Sequence, residues 1–210
     1  MEQTGRIPEA VIRRLPRYYR YLEELERRGE IRISSSKMSE EIGFNASQIR
    51  RDLNCFGGFG QQGYGYSVDK LKREIAHILG LDRQYNMVLA GAGNIGQALL
   101  RYANFAERGY NIVGIFDVAP GLIGTVMDGV PILPMGELER FVKEKNVDIG
   151  VICTPMEAAQ EVASRMARAG IRGIWNFAPI DVRVGEKVAV ENVHLNDGLY
   201  VLSFRMGTQL

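Results

Sequence analysis

Six residues, Gly91-Ala92-Gly93-Asn94-Ile95-Gly96, constrain this chain more than any other feature. They follow an apolar run and open a helical pattern. Gly91 permits a tight turn, Gly93 lets the backbone come close to a pyrophosphate, and Gly96 lets helix and strand pack closely. The helix amino end offers unpaired N–H groups and a partial positive charge, so all six residues of the loop are candidates for phosphate binding. The next apolar run ends Ile115-Phe116-Asp117, at about the separation expected of a ribose-binding acid. Asp117, with the adjoining Val118, is the candidate ribose site. Its charge repels a 2′-phosphate and so favours NAD(H) over NADP(H).

The rest of that half supplies the matching sheet. Strands are expected at 86–90, 111–116, 147–153 and 171–177, and helices at 95–107, 135–145 and 157–169. Alternation of this kind gives an α/β domain, a Rossmann-type parallel sheet covered by helices on both faces. A final strand pair is expected near 182–184 and 187–190, followed by a helical C-terminal segment. Ligands of open α/β sheets lie beyond the carboxyl ends of the strands. Thr154 and Pro155 after one strand, and Asn176 and Phe177 after the next, are therefore candidates for the nicotinamide end. An apolar wall there favours the uncharged reduced ring of NADH over the cation of NAD+.

Composition narrows the class without choosing the function. The chain has 210 residues, 46% hydrophobic and 24% charged, as expected of a globular protein and not of a disordered one. A net charge of +1 gives no bulk argument for a nucleic-acid partner, so any such surface depends on local clusters of Arg and Lys. Two isolated cysteines, Cys55 and Cys153, lack metal-ligand spacing and fit a reducing compartment. With no signal-peptide core and no membrane-length apolar run, a cytoplasmic protein is expected.

The first 82 residues differ in character, being mainly helical in pattern and rich in Arg, Glu and Ser. A helix is expected over 8–28, with Pro16 as a point where it breaks or restarts. A short strand is expected at 31–33. A second helix over 37–42, capped by Ser36 and stopped by Gly43, precedes a third that Asn45 caps, with Gln48 completing a capping box. This is the size of a helix-turn-helix. Ala46, Ser47 and Gln48 are short or polar groups able to enter a major groove, and Arg50 and Arg51 can reach phosphates or guanine edges. A glycine-rich aromatic hairpin follows, in which Phe59, Gly60, Gln62, Gly63 and Tyr64 suit a wing laid along DNA. Arg6, Arg13, Arg14, Arg17 and Arg20 add charge near the first helix, which supplies salt-dependent affinity but no sequence choice. A further helix is expected over 67–79.

These motifs, in this order, resemble the Rex redox-sensing repressors. The likeness rests on Ser47-Gln48-Ile49-Arg50-Arg51-Asp52-Leu53, on Phe56-Gly57 with Gly60, Gly63, Tyr64, Gly65 and Tyr66, on the glycine loop, on Phe116-Asp117 and on Asn176-Phe177-Ala178-Pro179. It implies a winged helix-turn-helix domain over 1–82, a Rossmann NAD(H)-binding domain over 83–196 and a C-terminal helix over 197–210 exchanged in a homodimer. It further implies binding to palindromic operator DNA, permitted by NAD+ and released by NADH, with Arg20 and Tyr102 coupling nucleotide to domain closure. Where some members carry an acid near the start of the C-terminal segment, this chain has His194, with Asp197 shortly after.

Two rival readings stand beside this one. The chain could be a small NAD-dependent oxidoreductase or a coenzyme A-binding enzyme, although its two histidines, His77 and His194, form no catalytic constellation. It could instead be a constitutive DNA-binding protein whose Rossmann domain only mediates dimerisation. Cys55, close to the third helix, is a candidate thiol switch.

Overall fold

The computed structural model describes residues 7–57, 60–61, 64–102 and 104–208, with the backbone alone for 60, 61 and 104. The chain divides into two compact units between Arg83 and Gln84.

The first unit runs α1 (Glu9–Ile12), α2 (Leu15–Arg27), β1 (Arg32–Ile33), α3 (Ser35–Ile42), α4 (Ala46–Asn54), β2 (Gly60–Gln61), β3 (Gly65–Ser67) and α5 (Val68–Ile78). The helix expected over 8–28 is broken at Arg13-Arg14. Pro16 lies in the first turn of α2, where its missing N–H leaves no bond unmade, whereas an unbroken helix would set its ring against the carbonyl four residues back. Leu15, Tyr18, Leu22 and Leu25 then bury one face of α2 against Ile33, Met38, Ile49, Leu53, Leu71 and Ile75. Ser34, not Ser36, caps α3: its side chain accepts from the Lys37 amide, and the helix starts two residues earlier than expected. Gly43, at φ +70°, ends α3 in the left-handed conformation. Strands β1, β3 and β2 form a small antiparallel sheet in that order. Gly65 has no tolerable substitute, since a Cβ there would lie 2.6 Å from the Ile33 carbonyl oxygen, at φ +70°.

A buried carboxylate fixes α4 in this unit. The Asn45 side chain accepts from the Gln48 amide as expected. The return bond of a capping box is not made, because the Gln48 amide group donates to Asp52 instead, at 2.8 Å. Asp52 is 1% exposed. It also accepts two bonds from Arg14, at 2.6 and 2.8 Å, and one from the Tyr18 hydroxyl at 2.7 Å. Burial alone would raise the Asp52 carboxyl, but the bonds from Arg14, Tyr18 and Gln48 outweigh it and hold the group below its ordinary value.

The second unit runs β4 (Tyr85–Ala90), α6 (Asn94–Leu100), α7 (Asn104–Glu107), β5 (Tyr110–Asp117), β6 (Val126–Met127), β7 (Val130–Pro134), a 3₁₀ turn (Met135–Glu137), α8 (Leu138–Glu144), β8 (Ile149–Ile152), α9 (Met156–Ala169), β9 (Gly173–Asn176), β10 (Ala189–Asn192) and α10 (Leu195–Gly207). The sheet order is β10-β9-β8-β4-β5-β7-β6, parallel except for β6. From α8 and α9, Leu138, Val142, Val162 and Met166 pack on one face with Val88, Phe116 and Ile152. Leu99 and Leu100 of α6 cover Met87, Leu89 and Val151 on the other. The chain steps from β4 out to β5 and then returns past β4 to β8, so the strand order reverses at β4.

Four expectations need correction here. The helix over 95–107 is two helices. The β6–β7 hairpin was not foreseen. No strand forms at 182–184; Val182 is buried in a loop that Asn176 holds, and one strand, β10, stands where a pair was expected. Helix α10 begins at Leu195, and every residue from 195 to 208 is exposed.

The Asp52 network generates a stability prediction. Asp52→Ala should destabilise the chain by about 3–5 kcal/mol, because it leaves the Arg14 charge without its partner. The folded carboxyl lies below its unfolded value near ~3.9, so its contribution is complete above that value and is lost as the pH falls through the folded one. Chemical denaturation from about pH 6 down to about pH 3 should therefore show an acid loss that is smaller in Asp52→Asn than in the wild type.

Candidate functional site

The carboxyl ends of the central strands bring the glycine loop, Asp117, Thr154-Pro155 and Phe177 to one edge of the second unit. Gly91 has φ +102°, and a Cβ on it would meet the Cys153 carbonyl oxygen at 2.7 Å. A Cβ on Gly96 would overlap the Gly91 carbonyl oxygen. These two glycines seat the β4 turn against β8 and the start of α6. Gly93 has no described atom within 4 Å of a Cβ position, so the space above it is open to a ligand. Gly93 and Asn94 are exposed, Ile95 is half-buried and Ala92 is buried.

Asp117 joins the two loops. One carboxylate oxygen accepts from the Ala92 amide at 2.7 Å, and the other from the amides of Val118 and Ala119 at 2.7 and 2.8 Å. A carboxylate has about four acceptor positions, so at least one remains for a hydroxyl. Val118 is 78% exposed beside it, presenting an apolar surface at the end of β5.

At β8 and β9 the candidates separate. The Thr154 hydroxyl is buried and has no hydrogen-bond partner among the described residues. Pro155 is exposed at the start of α9. Phe177 lies half-buried against Trp175, with ring centroids 4.5 Å apart. Asn176 is fully buried, and its side chain is turned inward. It donates to the Ile180 carbonyl (2.6 Å) and to Asn192 (2.9 Å) and accepts from the Ala178 amide (3.0 Å). The structure thus gives that side chain the role of holding the 177–182 loop, on which Phe177 is mounted. Burial pushes the Cys153 thiol up to about 12, so it stays protonated and is a poor nucleophile.

On the first unit, Ser47, Arg50 and Arg51 are exposed on α4, while Ala46 and Gln48 are half-buried. Arg50 donates to the Ser35 hydroxyl at 2.8 Å, which ties α4 back to α3. Ser47 donates to Asn45 at 3.0 Å. Tyr64 is 70% exposed, and the Arg32 guanidinium donates to its carbonyl (3.2 Å) while lying over its ring. Gly60 opens β2; Phe59, Gln62 and Gly63, like Arg6, fall outside the described residues. Arg20 is exposed on α2. Tyr102, exposed just after α6, packs on Phe105 at 4.9 Å. Cys55 is exposed at the end of α4, with its thiol directed at the Arg51 carbonyl. Sequence reasoning missed the Asp52 network and the Arg32–Tyr64 contact.

A helix-turn-helix with a small antiparallel wing, followed by a doubly wound sheet bearing a glycine loop and a strand-end acid, defines the class of nucleotide-responsive DNA-binding regulators. Residues 6–54 match the family described as "Putative DNA-binding protein N-terminus", and residues 82–180 match the family described as "CoA binding domain". The chain is 49% identical to a redox-sensing transcriptional repressor Rex of Thermoanaerobacter pseudethanolicus, over 100% of this chain and 93% of that one. It therefore belongs to the Rex family of redox-sensing transcriptional repressors. Its fold is similar to that of RSP, a Rex-family repressor. The structure of RSP in complex with β-NAD+ and operator DNA matches with a TM-score of 0.92 and 50% identity, covering 98% of this chain and 94% of that one. The structure of RSP in complex with β-NADH matches with a TM-score of 0.90 and 47% identity, covering 98% and 96%.

The glycine geometry separates packing from ligand access. Gly91→Ala and Gly96→Ala should each destabilise the chain by about 1–3 kcal/mol through overpacking. Gly93→Ala, with open space and a negative φ, should melt within about 2 °C of the wild type. Equal losses in all three would show that Gly93 is also a packing residue.

Proposed function

We propose that this protein is a repressor that binds operator DNA through its first unit and leaves it when NADH fills the glycine-loop site of its second unit. The observation that carries this reading is the full-length likeness to RSP, which has been solved with β-NAD+ and operator DNA and with β-NADH. In this reading the loop 91–96 holds the pyrophosphate, Asp117 the adenosine ribose, and Val118 flanks the adenine. Thr154, Pro155 and Phe177 line the nicotinamide end, and Asn176 supports it from below. The Thr154 hydroxyl, with no described partner, is suited to the carboxamide. Ala46, Ser47, Gln48, Arg50 and Arg51 face the major groove, and the hairpin of Phe59, Gly60, Gln62, Gly63 and Tyr64 the backbone or minor groove. Arg20 and Tyr102 take part in the switch.

The same reading makes the protein a homodimer, acting on DNA in the cytoplasm without catalysis of its own. Support for the dimer comes from α10, where Leu195, Leu199, Tyr200, Val201, Leu202, Phe204 and Met206 are all at least half exposed. Exposed apolar surface of this extent marks an interaction site. In this reading a partner protomer covers it. No helix among the described residues is long and apolar enough to cross a membrane.

Release requires a ligand with different affinity for two arrangements of the protein. The apolar nicotinamide end provides that difference, since the reduced ring is neutral and the oxidised ring is a cation that is costly to bury.

Fluorescence anisotropy with promoter fragments at fixed salt tests the reading. NADH should release the DNA and NAD+ should not, and Asp117→Arg should require at least about tenfold more NADH, one charge-assisted hydrogen bond being worth about that much. Specific DNA binding indifferent to both nucleotides would leave a repressor with another signal, and steady NADH oxidation without DNA binding would leave an enzyme. Removing residues 195–210 should convert the dimer to monomer in light scattering. A dimer that survives the deletion would place its interface elsewhere.

A further inference from the structure

The second unit contains a line of four aromatic rings, two of which, Trp175 and Phe105, none of the motifs announces. Phe177 lies just beyond the carboxyl end of β9. Trp175, the one tryptophan of the chain, is two residues earlier on the same face of that strand, and the two rings meet edge to face with centroids 4.5 Å apart. Trp175 meets Phe105 of α7 edge to face at 5.9 Å. Phe105 meets Tyr102 at 4.9 Å. Tyr102 is 55% exposed, so the line begins at the nucleotide edge of the sheet and ends at the surface.

The Tyr102 ring is also tied to the other end of the nucleotide site. Tyr102 follows directly on α6, whose first residue, Asn94, belongs to the glycine loop. The Gln97 side chain donates to the Ala92 carbonyl at 2.9 Å, which fastens the body of α6 to that loop. The Tyr102 and Phe105 rings are therefore held from two directions, by α6 from the pyrophosphate end and by Trp175 from the nicotinamide end. Rings in edge-to-face contact inside a close-packed unit have few alternative arrangements, so a displacement of one is passed to the next.

We infer that Trp175 is a positioning residue, which transmits the state of a ring bound against Phe177 to the Phe105 and Tyr102 rings and so couples nucleotide redox state to DNA release. This rests on the function proposed above and adds to it the side chain through which the nicotinamide end is read. Trp175 does not touch the nucleotide in this account; it sets where Phe177 and Phe105 stand.

The experiment separates transmission from binding. Trp175→Leu keeps an apolar side chain of substantial volume without an aromatic edge, and Trp175→Phe keeps an edge. For each variant, and for the wild type, two quantities are measured: NADH affinity of the DNA-free protein by calorimetry, and operator affinity by anisotropy with and without saturating NADH. Trp175→Leu should bind NADH within about threefold of the wild type while the NADH effect on operator affinity shrinks about tenfold, the size of coupling changes expected for a residue on a transmission route. Trp175→Phe should restore most of the effect. An undiminished NADH effect in Trp175→Leu overturns the inference. So does a parallel fall in NADH affinity and NADH effect, which would make Trp175 part of the binding pocket. If thermal melting shows that Trp175→Leu does not fold, Trp175→Met takes its place with the same two expected readings. A wild-type protein whose DNA binding ignores NADH overturns the sensor function itself, and this inference with it.

Discussion

Three stretches of backbone meet at Gly91, and the second unit is arranged around that meeting. The turn after β4 lies under the Cys153 carbonyl at the end of β8, and α6 returns so closely that Gly96 lies against the Gly91 carbonyl. No side chain larger than hydrogen fits at either glycine. From this follow the seating of α6 on the sheet, the orientation of its amino end toward the open space over Gly93, and the placement of Asp117 within 2.7 Å of the Ala92 amide. Asp117 then performs two tasks. It satisfies three amides that the tight turns would otherwise leave unpaired, and it keeps acceptor capacity directed at the strand-end cleft. Replacing this group therefore disturbs the turns as well as the acceptor capacity at the cleft.

A different kind of constraint governs the first unit. Asp52 is a charge taken out of water, a position that costs free energy unless good geometry compensates it. Arg14, Tyr18 and Gln48 supply that geometry from the start of α2 and from α4 itself. The result is specificity of arrangement: α4 can take one rotation relative to α2, because turning it would strand the carboxylate. Helix α4 presents Ser47 and Arg51 to solvent on the faces away from that anchor. The anchored side, Ile49, Asp52 and Leu53, is what fixes which residues face outward.

The glycine loop, the acid after β5, the Asn45 cap and the alternation of the central strands were all legible in the sequence, because each is a local requirement written in a few adjacent residues. The features that were missed depend on partners far away in the chain. Asp52 sits in a run of charges, Arg50-Arg51-Asp52, that looks solvated, yet its spacing from Ile49 places it on the buried stripe of α4, and its partner lies 38 residues earlier. Asn176 was read as facing the nucleotide, when its bonds to Ile180 and Asn192 bury it under the loop. Ser36 and Ser34 are equally good caps by type, and the geometry of β1 decided for Ser34. The β6–β7 hairpin did leave a local signal. Asp128-Gly129, at φ +47° and +84°, is the two-residue turn that joins such strands, and it stands between Met127 and Val130 where a hairpin reading would place it.

Helix α10 shows why a single chain is an incomplete account of this fold. At 100° per residue, Leu195, Leu199, Leu202 and Met206 fall within a stripe roughly 60° wide, while Tyr200, Val201 and Phe204 fall on the opposite side. A helix that lies on one surface needs one apolar stripe and presents polar residues elsewhere. Two opposed stripes require cover from two directions, and all seven side chains are exposed in the single chain. Simple side-by-side contact between two protomers through one stripe would leave the other in water. In the proposed homodimer, insertion of α10 into the body of a second protomer would cover both, and two-fold symmetry would repeat the contact. Such an exchange would make each nucleotide unit depend on a segment of its partner, so that an event at one glycine loop would be felt across the dimer.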